Sequence, residues 1–263
     1  HQCRGAEPDP TETGLRQTGA DERMGQGIHA GCRRDRAIFP AARVRLPDDG
    51  LTKDTGVHSP GNIDTSTQSK GAFSLTRSTI LHGTPIAFIG AGAMGEAMVG
   101  GLLRHKLVEP EAITAADLHP ARLDEVKRLF GVRTTDDNRA AVRKARIVVL
   151  SVKPQVLSTV CADLNGVLRP STLVVSIVAG ARISSMAAGL NHEAIVRTMP
   201  NTPAQIGEGM TVWAATDAVS DKQREQAGAI LGALGKHLFV RDESFLDKAT
   251  AVSGSGPAYV FML

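Results

Sequence analysis

The chain has 263 residues, 42% apolar and 22% charged, with 30 basic against 27 acidic side chains and a formal net charge of +3. That balance argues against a polyanion binder, which carries a basic stripe, and an aromatic content of 3% argues against a surface for stacking single-stranded nucleic acid. Three scattered cysteines (Cys3, Cys32, Cys161) exclude a disulfide framework and a paired-cysteine zinc site, and suit a reducing, cytoplasmic compartment. The longest apolar runs, Ile147 to Val152 and Leu173 to Ala181, are far shorter than a membrane span, and no apolar stretch follows the N-terminus as a secretory signal requires.

Residues 1–83 differ sharply from the rest. They hold 23 apolar side chains, of which only 13 are Leu, Ile, Val or Phe, inside the range where a packed core does not form. Their charges nearly cancel, and they show no periodicity. This composition predicts a disordered N-terminal extension, which is either a leader or a translated stretch ahead of the true start. Arg33, Arg34 and Arg36 are interrupted by Asp35 and read as solvated charge.

From Thr84 onward, strand and helix patterns alternate. Pro85 to Ile89 is a short apolar run of buried-strand type. Ala93 to Lys106 follows as a helix, with Met94, Met98 and Leu102 spaced to share one face. Ala112 to Ala116 is the second strand. Pro120 opens a helix that carries Leu123, Val126, Leu129 and Phe130 on one side. A brief strand at Val132 to Thr134 and a short helix at Asp136 to Lys144 precede the buried strand Ile147 to Val152. A helix near Gln155 to Leu164 leads to the strand Leu173 to Val178. Weaker strands are expected at Ala194 to Thr198, Met210 to Ala215 and His237 to Val240, with a helix over Asp221 to Leu234. This alternation predicts a doubly wound α/β sheet over 84–241, followed by the start of an all-α domain over 242–263.

The strongest chemical signal is Gly90-Ala91-Gly92-Ala93-Met94-Gly95, a G-x-G-x-x-G run placed between strand and helix, directly after Ile89. Gly90 allows the tight turn, Gly92 lets a pyrophosphate approach the backbone, and Gly95 permits close helix–strand packing. The helix N-terminus faces the anion. Asp117 ends the second strand, 22 positions after Gly95, where a carboxylate can accept from the adenosine ribose hydroxyls and favour NAD. The plainer alternative is that Asp117 caps the helix containing Pro120. His119 and Arg122 stand close enough to serve a 2′-phosphate, so the cofactor is read as NADP or NAD.

At this point the sequence resembles the pyrroline-5-carboxylate reductase family. The resemblance rests on Ile86 to Gly95, on Val148-Val149-Leu150-Ser151-Val152-Lys153-Pro154-Gln155, on Met199-Pro200-Asn201-Thr202-Pro203 and, most specifically, on Asp247 to Phe261 with its Ser253-Gly254-Ser255-Gly256-Pro257 core. It covers about residues 84–263 and implies NAD(P)H-dependent reduction of 1-pyrroline-5-carboxylate to L-proline. Carried over by position, it makes Ile89, Gly90, Ala91, Gly92, Ala93, Met94, Gly95, Asp117, Asn138, Val152, Lys153 and Ala179 cofactor residues. It makes Glu243, Ser253, Gly254, Ser255 and Gly256 substrate residues. Each has a plainer alternative: a helix cap for Asn138, a solvated charge for Lys153, an ordinary first-turn acid for Glu243, a flexible turn for 253–257. The last segment also has physics of its own. Small residues ahead of Pro257 would expose amides at the start of a helix near Gly256, and such N-termini bind carboxylates.

No catalytic side chain is assigned, because the imine arrives protonated and needs no strong general acid; none of the eight histidines lies in these motifs. No metal, nucleic-acid or membrane partner is expected. The family continues into helices that form a homo-oligomer and complete the substrate site. The chain ending at Leu263 is therefore expected to bind dinucleotide but to turn over at least about a hundredfold more slowly than an extended version. A β-hydroxyacid dehydrogenase and a non-catalytic dinucleotide-binding module are the alternatives.

Overall fold

The computed structural model describes residues 80–254, Gly256 and Met262. The expected disorder of residues 1–79 therefore lies outside the described residues. The packed region begins earlier than composition suggests. Leu81 is fully buried in the core, and Gln226 donates from its side-chain amide to the Ile80 carbonyl at 3.3 Å. Leu81 is followed by His82 and Gly83, which are exposed.

Eight strands form one sheet. In chain order they are β1 (Ile86–Ile89), β2 (Ile113–Ala116), β3 (Arg133–Thr135), β4 (Ile147–Leu150), β5 (Leu173–Ser176), β6 (Ile195–Met199), β7 (Gly209–Ala215) and β8 (Gly235–Phe239). Their spatial order is β3-β2-β1-β4-β5-β6-β7-β8. The first six are parallel, β7 runs antiparallel to β6, and β8 is parallel to β7. The chain reverses direction from β1–β2–β3 to β4 outward, which is the doubly wound arrangement.

The strand residues explain the sheet's burial. Ile147 to Leu150 is buried at every position, because a central parallel strand has helices on both faces. Each such aliphatic side chain stabilises the fold by about 1.5–3 kcal/mol. Ile86, Phe88, Ile147, Val149, Leu173 and Val175 point to one face, and Ala87, Ile89, Val148, Leu150 and Val174 to the other.

The first face is covered by α1 (Ala93–Arg104), α2 (Pro120–Phe130) and, later in the chain, a helix over Asp221–Gly232. The second is covered by α3 (Asn138–Val142), α4 (Leu157–Leu164) and α5 (Ile183–Leu190). The Asp221–Gly232 helix is α6, and α7 (Ser244–Ala249) follows β8. On α2 the apolar face holds Leu123, Val126 and Phe130, while Leu129 turns out to solvent. Leu129 breaks the helical phase set by the other three.

Two features go beyond the sequence reading. Helix α5 was not anticipated: Ser184, Ser185 and Gly189 dilute its propensity, yet Met186 and Leu190 are buried one turn apart, and Asn191 ends it in a left-handed conformation. The reversal at β7 follows from the nine residues between β6 and β7, too few for a crossover and enough for a hairpin-like return. No described helix is long and apolar enough to cross a membrane.

Candidate functional site

The ends of the parallel strands place the sequence motifs along one edge. Ile89 closes β1, and the chain turns through Gly90 at φ +95°. A β-carbon there would sit 2.6 Å from the Ser151 carbonyl oxygen, so only glycine fits. At Gly95 a β-carbon would meet the Gly90 carbonyl at 2.8 Å, as close helix–strand packing requires. Gly92 is different. It precedes α1 in extended backbone, no side chain caps the helix, and a β-carbon there would meet nothing within 4 Å. The open space lies in front of uncapped helix amides, and this donor set suits an anionic phosphate.

The loop is held from behind by three side chains. The Ser151 hydroxyl, just past β4, donates to the Gly90 carbonyl at 2.6 Å. Asp117 accepts the Ala91 N–H at 2.9 Å, and the Arg122 Nε donates to the Ala91 carbonyl at 2.6 Å. The Gly90–Ala91 peptide is therefore gripped at both its carbonyl and its N–H, and the next peptide at its carbonyl. Asp117 also accepts from the His119 backbone N–H at 3.0 Å and pairs with the His119 ring at 2.9 Å. Partial burial pushes the Asp117 carboxyl up, but these hydrogen bonds outweigh it and hold the group below the usual carboxylate range.

Arg122 pairs in addition with Glu96 and Glu125. Partial burial works against its charge, and the two acids more than offset that, so its pKa is raised. The guanidinium is committed to the loop and to α1, while His119 stays 84% exposed. Asp117 does not cap α2: His119 occupies the cap position, and no side chain bonds to the first-turn amides.

Asn138 is not the cap of α3 either. Asp137 fills that place and accepts the Ala140 N–H at 3.0 Å, because the helix starts at Asn138 itself. Asn138 instead donates to Asp163 on α4 at 3.3 Å. Val152 lies against Gly90, Lys153 is exposed just before Pro154, and Ala179 is exposed past the end of β5.

The second cluster gathers around β6. Arg197 lies mid-strand with only 3% exposure. Its Nη2 donates to Asp247 at 2.6 Å, and its Nη1 lies 3.7 Å from Glu243. The other Glu243 oxygen accepts the N–H of Ile183, the first residue of α5, at 3.1 Å. Glu243 therefore does not serve its own helix; it serves the N-terminus of another, 60 residues away in sequence. Asn201, past the end of β6, donates to the Ser253 hydroxyl at 2.9 Å and accepts the Met210 N–H at 2.9 Å.

Ser253 and Gly254 depart from expectation. They lie in a π-helical turn, Thr250–Gly254, that continues α7, and not in exposed amides ahead of a new helix. Within it the Thr250 hydroxyl donates to the Leu246 carbonyl at 2.7 Å, and a β-carbon on Gly254 would meet the Met199 side chain at 2.9 Å. Gly256 is helical as well, while Ser255 and residues 257–261 and 263 lie outside the described residues.

Sequence reasoning missed Ser151, Arg197 and Asn201 as site residues. The signal for Arg197 was a lone charge inside an apolar strand. Ser151 and Asn201 lay inside quoted motifs without being assigned work.

Cavities also lie elsewhere among the described residues. One of about 530 Å³ sits where the strands begin, lined by His82, Thr84, Arg146, Ser171, Lys222 and Gln226. One of about 560 Å³ separates α4 from α5, beside Cys161 and Met186. Cys161 is a buried free thiol whose pKa burial pushes up, so it stays protonated. Among the described residues, no group of three or more His, Cys, Asp or Glu side chains could hold a metal ion.

The sheet order, the glycine turn and the uncapped helix define a Rossmann-type α/β protein. The family described as NADP oxidoreductase coenzyme F420-dependent matches residues 85–180. A pyrroline-5-carboxylate reductase from Synechocystis is 42% identical over 179 residues, covering 68% of this chain and 66% of that protein. The solved pyrroline-5-carboxylate reductase of Coxiella burnetii superposes with a TM-score of 0.65 at 36% identity, covering 68% of this chain and 67% of that one. A Plasmodium falciparum pyrroline carboxylate reductase, solved with NADP bound, matches at a TM-score of 0.61 and 27% identity, covering 68% and 66% of the two chains. The chain belongs to the pyrroline-5-carboxylate reductase family, and it spans about two thirds of the length of these relatives.

Proposed function

We propose that this edge binds NADP(H) or NAD(H) and that the protein reduces 1-pyrroline-5-carboxylate to L-proline there. The observation that carries the reading is the open space at Gly92 in front of uncapped α1 amides, backed by a loop whose other side is fully engaged. The amides from Gly92 to Gly95 would take the pyrophosphate, with the helix dipole favouring its charge. Asp117 is placed to accept from a ribose hydroxyl with its remaining lone pairs. Asn138, Val152, Lys153 and Ala179 would line the way to the nicotinamide end, since ligands of such sheets lie beyond the strand ends.

The bound nicotinamide would supply a hydride to C5 of the protonated cyclic imine. The protein's contribution is alignment, holding donor and acceptor about 3–3.5 Å apart, and it needs no strong general acid because the imine arrives protonated. Glu243 and the segment Ser253 to Gly256 form the substrate side in this reading. Residues 84–241 are then the dinucleotide-binding part, and 242–263 begin the substrate part. Cysteine usage suits a cytoplasmic place.

The test is NADPH oxidation followed by loss of its absorbance, with proline quantified as product. Imine-dependent oxidation with stoichiometric proline supports the reading. Oxidoreduction of a β-hydroxyacid, or dinucleotide binding with no turnover of the imine even in a chain extended to the relatives' length, overturns it.

A further inference from the structure

Arg197 is a charged residue in the middle of a sheet strand, paired across the ladder with Ser176 on β5 and Ala214 on β7. A buried guanidinium is costly unless its charge is met and its donors are used. Here it is met by two carboxylates that come from one short segment. Glu243 and Asp247 stand four residues apart, one helical turn, and so share one face of the chain as it enters α7. The planar guanidinium fork spans both; a lysine ammonium, a single point charge, would meet one at a time. Sliding the segment by a residue would break both pairs and leave the guanidinium buried alone.

Two further contacts extend this fastening. Glu243 also holds the first amide of α5, and Asn201, four residues beyond Arg197, holds Ser253 at the far end of the helical run. The α7 segment is thus set on β6 at its beginning and on the loop after β6 at its end.

We propose that Arg197 is a positioning residue for the substrate segment. From one buried guanidinium it fixes the register of 243–254 on β6, and so determines where Glu243 and Ser253 stand relative to the strand ends. This deepens the reading above, in which that segment is the substrate side, but the clamp itself can be tested without turnover.

Hydrogen exchange of the 263-residue chain, read by mass spectrometry, is compared for wild type, Arg197→Met and Arg197→Lys. With Met, the amide of Ile183 and those of 244–254 should exchange at least about tenfold faster, while 86–104 and the NADPH dissociation constant stay within about twofold of wild type. Lys should fall between, since it restores charge without the fork. Where the wild-type chain turns over the imine, Arg197→Met should raise its KM at least about tenfold at unchanged NADPH affinity. Failure of turnover in a wild-type chain extended to the relatives' length would count against the functional reading and leave the exchange result standing.

Should Arg197→Met lose protection everywhere, Asp247→Ala replaces it, because that side chain is largely exposed and Glu243 remains to meet the buried charge. Selective loosening of 244–254 in Asp247→Ala supports the proposal. Unchanged exchange of 244–254 in Arg197→Met, or no selective loosening in Asp247→Ala, overturns it.

Discussion

The glycine loop after β1 and the segment after β8 are held in different ways. The loop is gripped by three side chains within hydrogen-bonding distance of its own backbone: Ser151, Asp117 and Arg122. Ser151 and Asp117 follow the ends of β4 and β2, and Arg122 stands in the first turn of the helix after β2, so forming these strand–helix units forms the loop. The later segment is held by side-chain pairs with Arg197 and Asn201 and by Glu243 on the Ile183 amide, across separations of 46 to 60 residues in sequence, with Leu246 buried beneath it. The glycine loop is thus a product of sheet topology, whereas the segment after β8 is set by a few long-range polar pairs and the burial of Leu246.

Substitution at Gly90 should show the rigidity of the first region most strongly. Gly90→Val places a branched side chain at φ +95° against the Ser151 carbonyl. The expected cost is roughly 2–5 kcal/mol in urea unfolding, from backbone strain plus overpacking. A loss below 1 kcal/mol or so would mean that the loop yields easily, and the contrast with the later segment would vanish.

Asp117→Ala sharpens the same contrast. It removes the acceptor of the Ala91 N–H, so both reduced cofactors should bind less tightly. NADH should lose about 1–3 kcal/mol more than NADPH, the scale of a hydrogen bond to a charged group. Isothermal titration with both cofactors measures it. Equal losses would make Asp117 a loop-holding residue alone.

The smallest effect is on pH dependence. Asp117 has a carboxyl pKa lowered by folding. Its contribution to stability is therefore full above the unfolded value, about 3.9, and is lost as pH falls below that through the folded value. Wild type should lose more stability than Asp117→Asn between pH 5 and the acid end of the transition, in urea titrations at each pH. Parallel curves would show that the hydrogen bonds to Asp117 do not favour its charged form.

Most of the first region was legible in the sequence because its signals are local. The run Ile86 to Gly95 carries strand, turn and helix start in ten consecutive residues, and the α1 face follows from Met94, Met98 and Leu102. The partners of Asp117 were not legible, since its bond to Ala91 joins residues 26 apart through the sheet. The second region was harder for the same reason. The only cue to the reversal of β7 is the shortness of its link to β6, and nothing near Glu243 announces Ile183 or Arg197. Helix α5 was hidden by its serines, although Ile183, Met186 and Leu190 keep the helical spacing. The helical state of Ser253 and Gly254 was masked by their turn-like composition.

The proposed pyrophosphate site is the open space in front of Gly92. Gly92→Val fills that space without touching any protein atom within 4 Å of the added β-carbon, so the fold should be spared. The measurement is an NADPH fluorescence titration of the wild-type chain and of Gly92→Val, with far-ultraviolet circular dichroism on the same samples. Saturable binding by wild type, weakened at least about tenfold in the variant at unchanged dichroism, is the result expected. Equal affinity in the two chains would contradict it.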